Sequence, residues 1–137
     1  MNIALLAHDG KKELMVQFCI AYCGIFAGHS ICATKTTGKL VSEATGLDIA
    51  SCLSTSQGGA QQIGARIAYN EIDLVLFFCD PDDATEKGQS NVNEIARLCD
   101  RHSIPFASNV ATAEVLVQGL KRGDLAWRDI VNPHVKK

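Results

Sequence analysis

Short apolar runs alternate with longer amphipathic stretches along the whole chain. The runs predict buried strands near Phe106 and at residues 3–7, 30–34, 49–53 and 72–79. The run at 72–79 is the clearest, because it stays apolar after Asp73, as a central strand of a parallel sheet does. We therefore predict an α/β fold: one three-layer domain over residues 1–137, with a mostly parallel five-stranded sheet and helices on both faces.

The longer stretches between these runs predict helices. The first helix is expected at 11–27, and the others at 36–44, from the turn at 54–59 to Tyr69, at 91–102 and at 112–121. Residues 82–90 are acidic and polar and predict a loop. The remainder, 123–137, carries Trp127, Ile130 and Val131, so we expect it to pack against the body of the protein or a neighbouring subunit.

The composition limits the function more than the fold. Apolar residues make up 47% and charged residues 20% of the 137 positions, which is ordinary globular usage. Thirteen lysines and arginines against fifteen acidic residues leave a net charge of −2, so there is no overall positive field to hold nucleic acid or an anionic membrane. We predict neither as a partner. A site for an anion has to be built locally.

Six cysteines could form three disulfides by number, but a domain of this size builds an apolar core and needs no such links. Cys19 and Cys23 share a helix face without a neighbouring cluster of histidine and acidic residues, so we expect no metal. Cys79, beside Asp80, is a strand-end thiol to which we assign no role. With no signal-peptide pattern and no apolar stretch of membrane-spanning length, we expect a soluble cytoplasmic protein.

Polar motifs follow the predicted strands at the ends where each strand passes into a helix. These motifs are Ala7-His8-Asp9 with Lys12, Thr34-Lys35-Thr36-Thr37-Gly38, Ser54-Thr55-Ser56-Gln57-Gly58-Gly59, Asp80-Pro81 and Ser108-Asn109-Val110-Ala111-Thr112. In parallel sheets such ends share one edge, where ligands bind. One motif alone is more often a plain helix cap. Hydroxyls, a lysine and unpaired backbone N–H groups on five adjacent strand ends predict a site for a small phosphorylated ligand.

The complete series of motifs resembles the methylglyoxal synthase family. It reads AHDxxK after the first strand, TxTTG after the second, then a GGxQQxG turn, FFxDP after the fourth strand and NxATAE near the end. The resemblance extends from Ile3 to about Leu120, in the order and spacing of the family. Single motifs of this kind recur by chance, whereas the full series is highly specific.

The resemblance implies a homohexamer that eliminates inorganic phosphate from dihydroxyacetone phosphate to give methylglyoxal, without a cofactor. The family's phosphate contacts match Lys12, Thr34, Thr36, Thr37 and Ser54, and we place Thr55 and Gly59 of the same turn with this binding set. The histidine and aspartate of the AHD motif and the aspartate of the DP motif are candidate catalytic residues: His8, Asp9 and Asp80.

Five positions depart from the family pattern. The family's base is the aspartate of GGDQQ, but the chain has Ala60 there, which cannot accept a proton. The histidine of the family's PHDPD segment corresponds to Lys87, which we add to the catalytic candidates, and the later aspartate of that segment falls near Ser90. In the phosphate loops, Lys35 and Thr55 replace glycines.

These departures leave three hypotheses open. In the first, the chain is an active synthase in which Asp80 or Asp9 takes the base role and Lys87 polarises the carbonyl oxygen. In the second, it is a non-catalytic binding or regulatory protein that kept the phosphate pocket; methylglyoxal-synthase-like domains also resemble the ligand-sensing region of carbamoyl phosphate synthetase. In the third, Ala60 is a deliberate substitution, which would not explain the other four departures.

Overall fold

The structure, a computed structural model, describes residues 1–83 and 85–131 and contains a five-stranded sheet with helices on both faces. The strands are β1 (Asn2–Ala7), β2 (Ser30–Ala33), β3 (Ile49–Ser51), β4 (Leu74–Phe78) and β5 (Phe106–Ala107). Their order across the sheet is β3-β2-β1-β4-β5, and every pairing within the described ranges is parallel. The predicted α/β fold is therefore confirmed, with a sheet that is parallel throughout.

The helices follow the strands in the alternation that the sequence predicts. They are α1 (Lys12–Ala21), α2 (Cys23–Phe26), α3 (Lys35–Thr45), α4 (Gly59–Ala68), α5 (Glu86–His102), α6 (Val110–Arg122) and α7 (Trp127–Val131), with single 3-10 turns at Asp9–Lys11 and Thr55–Gln57. None of these helices is long and apolar enough to cross a membrane.

The core lies on both sides of the sheet, because alternate residues of β1 and β4 point to opposite faces. On one face Leu5 and Leu76 pack with apolar residues of α1, α3 and α6. On the other face Leu6 and Val75 pack with residues of α4 and α5. Both central strands are thus buried on two sides, which explains why they are continuously apolar in sequence.

Two helix predictions were wrong at their boundaries. The predicted helix at 11–27 is broken at Tyr22, whose backbone (φ −113°, ψ 18°) leaves the helical range and separates α1 from the short α2. The predicted loop at 82–90 contains the beginning of α5, which starts at Glu86 rather than near Asn91. Thr85 caps this helix, since its hydroxyl accepts a hydrogen bond from the Gly88 N–H at 3.2 Å.

The C-terminal segment packs against the body, as predicted, but through a residue that the sequence analysis did not select. Arg128 in α7 is buried, whereas Trp127 remains 45% exposed and Ile130 81% exposed. The guanidinium donates to the Asp73 carboxylate at 3.1 Å and to the Ser103 carbonyl oxygen at 2.9 Å. The Val131 side chain and residues 132–137 lie outside the described part of the chain.

Candidate active site

A cavity of about 680 Å³ opens at the carboxyl edge of the sheet. The segments that follow β1, β2, β3 and β4 form its walls together with the first turn of α5. Parallel strands end at one edge, which brings these distant segments together. Nine of the residues predicted from the sequence line the cavity: His8, Asp9, Lys12, Thr34, Thr36, Ser54, Thr55, Asp80 and Lys87.

Lys12 places a positive charge at the end of β1. Its Nζ donates to the Ala7 carbonyl oxygen at 3.0 Å and to Asp9 Oδ1 at 2.9 Å. The Lys12 side chain is only 15% exposed, whereas the Asp9 side chain is fully exposed. Two oxygens therefore orient the ammonium group, and its third hydrogen remains for a ligand in the cavity.

Hydroxyl groups from the next two loops line the cavity beside Lys12. Thr34 precedes α3 and Thr36 lies in its first turn, where the backbone N–H groups have no partner within the helix. Thr34 does not cap α3 with its own side chain. From the loop after β3, Ser54 and Thr55 line the same cavity. A cation, hydroxyls and a helix N-terminus at one place form an arrangement that suits a phosphate group.

Two predicted phosphate ligands and one motif lie outside the cavity wall. Thr37 is buried and does not line the cavity, and its hydroxyl has no hydrogen-bond partner within the described residues. Gly59 packs so closely on the backbone of Leu53 that a Cβ would collide with that carbonyl oxygen, so its role is to permit the turn. In the Ser108–Thr112 motif, Asn109 caps α6 by accepting from the Thr112 N–H at 3.0 Å.

The Asp80 carboxylate forms the acidic side of the cavity. Its Oδ1 accepts a hydrogen bond from the Asp82 N–H at 2.9 Å. Its Oδ2 lies close to Gly10, where an added Cβ would approach to 2.5 Å, so a larger residue there would require the carboxylate to shift. Asp80 is partly buried, unlike Asp9. Lys87, in the first turn of α5, is exposed at the rim of the same cavity.

His8 is buried between β4 and the beginning of α5. Its Nδ1 accepts a hydrogen bond from the Asp80 N–H at 2.9 Å, and its Nε2 is 3.3 Å from the Gly88 carbonyl oxygen. The edge of the imidazole meets the Phe77 ring, with 5.4 Å between the ring centroids. His8 therefore connects three neighbours within the protein, and only 8% of it is exposed.

Comparison with known proteins identifies the family. The MGS-like domain profile matches residues 15–108, more than half of the chain. A methylglyoxal synthase from Caldicellulosiruptor saccharolyticus is 57% identical over 137 residues, covering 100% of this chain and 96% of that protein. A methylglyoxal synthase from Geobacillus thermodenitrificans is 50% identical over 136 residues, covering 99% and 94%. The chain belongs to the methylglyoxal synthase family.

A solved structure agrees with this assignment. The crystal structure of methylglyoxal synthase from Elizabethkingia anophelis NUHP1 matches with a TM-score of 0.79 and 40% sequence identity. The match covers 85% of this chain and 76% of that protein. The methylglyoxal synthase fold that the motifs predict is therefore confirmed by both sequence and structure.

Ala60 is the residue that the motif resemblance matches to the family's base. It is the second residue of α4, is 3% exposed and lines the cavity. A methyl group there can neither accept a proton nor form a hydrogen bond. Of the described residues, the carboxylates in the cavity wall are those of Asp9, Asp80, Asp82 and Asp83.

Asn91 lines the cavity close to Ala60, and the sequence analysis missed it. It is 4% exposed, and its Oδ1 accepts a hydrogen bond from Gln61 Nε2 at 3.1 Å. Ser90, next to which the family's later aspartate was expected, is exposed and does not line the cavity. The sequence does show Asn91 as a polar residue among the apolar positions of α5. Because the helix was predicted to start only near Asn91, this position was not recognised as part of its buried face.

Cys79 contributes no reactive thiolate to this site. Its Sγ is 3.1 Å from the Phe77 carbonyl oxygen, and burial raises the pKa of the thiol to about 11. The thiol therefore stays protonated near neutral pH. All six cysteines are free thiols in the structure. Across residues 1–83 and 85–131, no three His, Cys, Asp or Glu side chains are grouped to hold a metal ion.

Proposed function

We propose that the chain binds dihydroxyacetone phosphate in this cavity and eliminates inorganic phosphate from it, giving methylglyoxal. One observation carries the proposal: the Lys12 ammonium and the loop hydroxyls line the same cavity as the Asp80 carboxylate. The ammonium and the hydroxyls can bind a phosphate group. The carboxylate can remove a proton from a carbon next to a carbonyl. Relatives named methylglyoxal synthase at 50–57% identity support the same reaction.

The reaction needs two kinds of protein group. A base removes a proton from the hydroxymethyl carbon, and the electron pair of that C–H bond moves toward the carbonyl to form an enediolate. The enediolate then expels phosphate as the bond between carbon and the phosphate ester oxygen breaks. The resulting enol takes up a proton on carbon to become methylglyoxal. A donor near the carbonyl oxygen stabilises the negative charge that develops there.

Asp80 is the better of the two candidate bases. Asp80 is partly buried in the cavity wall, and its carboxylate accepts a hydrogen bond from the Asp82 N–H. The Asp9 carboxylate is fully exposed and already pairs with the Lys12 ammonium. We therefore assign proton abstraction to Asp80. We assign polarisation of the carbonyl oxygen to Lys87, which lines the same cavity.

Ala60 favours a second candidate function, that of a phosphate-binding protein without lyase activity. The methyl group removes the proton acceptor that the family pattern has at this buried position, while the phosphate side of the cavity keeps Lys12, Thr34, Thr36 and Ser54. Binding would then remain after catalysis is lost, because the two depend on different residues.

Incubation with dihydroxyacetone phosphate separates the two functions. We expect release of inorganic phosphate and formation of methylglyoxal in equal amounts, and an increase in Tm when inorganic phosphate is added. A rise in Tm without phosphate release would support the binding protein instead. If neither effect occurred up to millimolar ligand, both proposals would be wrong.

Replacing Lys12 with methionine should weaken the binding of inorganic phosphate by about 10- to 150-fold. A hydrogen bond to a charged group contributes ~1.5–3 kcal/mol, and each ~1.4 kcal/mol corresponds to a tenfold change in Kd. Isothermal titration calorimetry measures the change. Lys11→Met is the matched control, since Lys11 carries the same charge one residue away and does not line the cavity. Equal losses in the two variants would contradict a specific role for Lys12.

We further propose that the chain forms a homo-oligomer, which by family resemblance is a hexamer, and that it acts as a single domain in the cytoplasm. Large apolar residues that are exposed in the isolated chain support self-association: Ile20, Leu53, Tyr69, Val115 and Ile130. Light scattering coupled to size-exclusion chromatography gives the mass of the assembly directly.

A further inference from the structure

Asn91 is a polar residue that the fold buries between two openings. The cavity at the carboxyl edge of the sheet and a groove of about 320 Å³ between α4 and α5 share two of the described residues, Ala60 and Asn91. Asn91 is 4% exposed, whereas Asn93, two positions further along the same helix, is exposed. An amide that leaves water needs hydrogen-bond partners, so the burial of Asn91 calls for an account of its amide.

The protein satisfies only one end of the Asn91 amide. Its Oδ1 accepts a hydrogen bond from Gln61 Nε2 at 3.1 Å, which orients the amide group. No described residue accepts a hydrogen bond from Nδ2. Among the described side-chain polar atoms that the protein encloses completely, the one without a partner is the Thr37 hydroxyl, so Asn91 Nδ2 is not sealed in the interior. It presents N–H donors on the accessible side of Asn91.

The place of Asn91 in the fold puts this donor on one side of the cavity. The side chains proposed to hold the phosphate follow β1, β2 and β3, whereas Asp80, Lys87 and Asn91 all follow β4. Lys87 and Asn91 are four residues apart in α5, so they lie on the same face of that helix, one turn from each other. With its phosphate bound by the first set, a ligand has its carbon atoms directed toward the second.

The charges on this side of the cavity also disfavour a phosphate group there. Three carboxylates from the turn after β4 line it: Asp80, Asp82 and Asp83. Like charges repel a phosphate dianion, so the uncharged Asn91 amide is better suited to the oxygens on the carbon atoms of the ligand. Lys87 is exposed at the rim, whereas the Asn91 donor lies in a less polar, buried setting, in which a hydrogen bond to a developing negative charge is stronger.

We propose that Asn91 is a catalytic residue whose Nδ2 donates a hydrogen bond to the enediolate formed from the substrate, and that Gln61 is the positioning residue that orients it. This assignment rests on the proposed function and adds an uncharged donor to the Lys87 ammonium. The donor is in place before the reaction starts, and its hydrogen bond strengthens as negative charge develops. Asn91 therefore accelerates the chemical step more than it tightens the binding of the substrate.

Replacing Asn91 with leucine should lower kcat for dihydroxyacetone phosphate by about 10²–10³-fold, the usual cost of removing one such donor, and should change KM little. Steady-state kinetics separate the two parameters. Asn93→Leu is the matched control, because it is the same substitution in the same helix, outside the cavity wall, and should retain kcat. Gln61→Met should give a smaller loss of kcat than Asn91→Leu, since the donor stays but loses the hydrogen bond that orients it.

A binding measurement tests the same contact without catalysis. Phosphoglycolate carries a phosphate and, in place of the enediolate, a stable carboxylate. By isothermal titration calorimetry, Asn91→Leu should weaken phosphoglycolate by about tenfold or more, the loss expected for a hydrogen bond to a charged group, and should leave the Kd of inorganic phosphate unchanged. Asn91→Asp keeps the shape and the oxygen that accepts from Gln61 but lacks the donor, so it should weaken phosphoglycolate at least as much. The Tm of each variant shows whether the fold is kept.

Three results would overturn the inference. One is an equal loss of phosphoglycolate and inorganic phosphate in Asn91→Leu, which would assign the amide to the phosphate group. Another is unchanged binding and turnover in folded Asn91→Asp, and the third is no binding of phosphoglycolate by the unsubstituted chain. If the chain released no phosphate from dihydroxyacetone phosphate but Asn91→Leu lost phosphoglycolate selectively, the proposed function would be wrong and the Asn91 donor would stand. Phosphate release that is unaffected by Asn91→Leu would retain the proposed function and exclude the donor.

Discussion

Replacing Ala60 with aspartate is expected to raise kcat for dihydroxyacetone phosphate by about 10²–10⁴-fold, the usual contribution of a general base. Ala60 lines the cavity at the position that the motif resemblance assigns to the family's base, and the side chains proposed to hold the phosphate belong to other residues. The substitution therefore adds a proton acceptor without removing a binding group. Methylglyoxal formation under saturating substrate measures the effect.

The local structure can accept this carboxylate. Ala60 is the second residue of α4, and an acidic side chain in the first turn of a helix stabilises it by roughly 0.3–1 kcal/mol. The methyl group also borders a second groove of about 320 Å³, lined by Gly64, Ala65 and Leu98, which leaves space for a longer side chain. We therefore expect a Tm close to that of the unsubstituted chain.

Two controls make the result specific to base chemistry. Ala60→Asn has nearly the same shape but accepts no proton, so it should give no gain. Asp80→Asn should nearly abolish activity when residue 60 is alanine and should cost much less in the Ala60→Asp background, because that variant has a second base. An equal loss in both backgrounds would mean that Asp80 has a role other than proton abstraction.

The sheet could be predicted because its strands are buried on both faces. β4 and β1 after Asn2 are unbroken apolar runs, as expected for strands buried on both faces. The beginning of α5 could not be predicted in the same way. Glu86 and its neighbours are polar because that first turn faces solvent, and the Thr85 cap that starts the helix resembles any threonine in a loop.

The sequence predicted which loops form the candidate site, but not which side chains of those loops point into the cavity. Thr36 and Thr37 are equivalent in the sequence motif, yet neighbouring residues of a helix point about 100° apart, so one lines the cavity and the other is buried. The Asp80 N–H that donates to the His8 ring is 72 residues away along the chain. Such contacts arise only when the strands assemble, and no local pattern encodes them.

Arg128 is the clearest case of a residue that sequence reasoning could not select. It is a single arginine near the end of the chain, and its carboxylate partner, Asp73, is 55 residues away. The pair lies at the edge of the sheet opposite the cavity, where Asp73 also accepts from the Asn2 N–H at 2.8 Å. Asp73 thus connects the first strand to the last helix of the described chain.

Replacing Arg128 with methionine should lower the free energy of unfolding by about 3–5 kcal/mol, the typical cost of leaving a buried charge without its partner. Asp73 is 2% exposed and would be left with the Asn2 N–H as the one described donor to its carboxylate. Urea denaturation followed by far-UV circular dichroism measures the loss. The fluorescence of Trp127, the one tryptophan of the chain, reports whether α7 detaches first.

Arg122→Ala is the matched control, because its ion pair with Asp124 is exposed and such pairs contribute about 1 kcal/mol or less. Adding Asp73→Asn to Arg128→Met should recover part of the stability, since the amide carries no charge and can still accept from the Asn2 N–H. If Arg128→Met cost no more than Arg122→Ala, the buried pair would not stabilise the fold. Recovery in the double variant would show that the loss comes from the unpaired charge rather than from the missing side-chain volume.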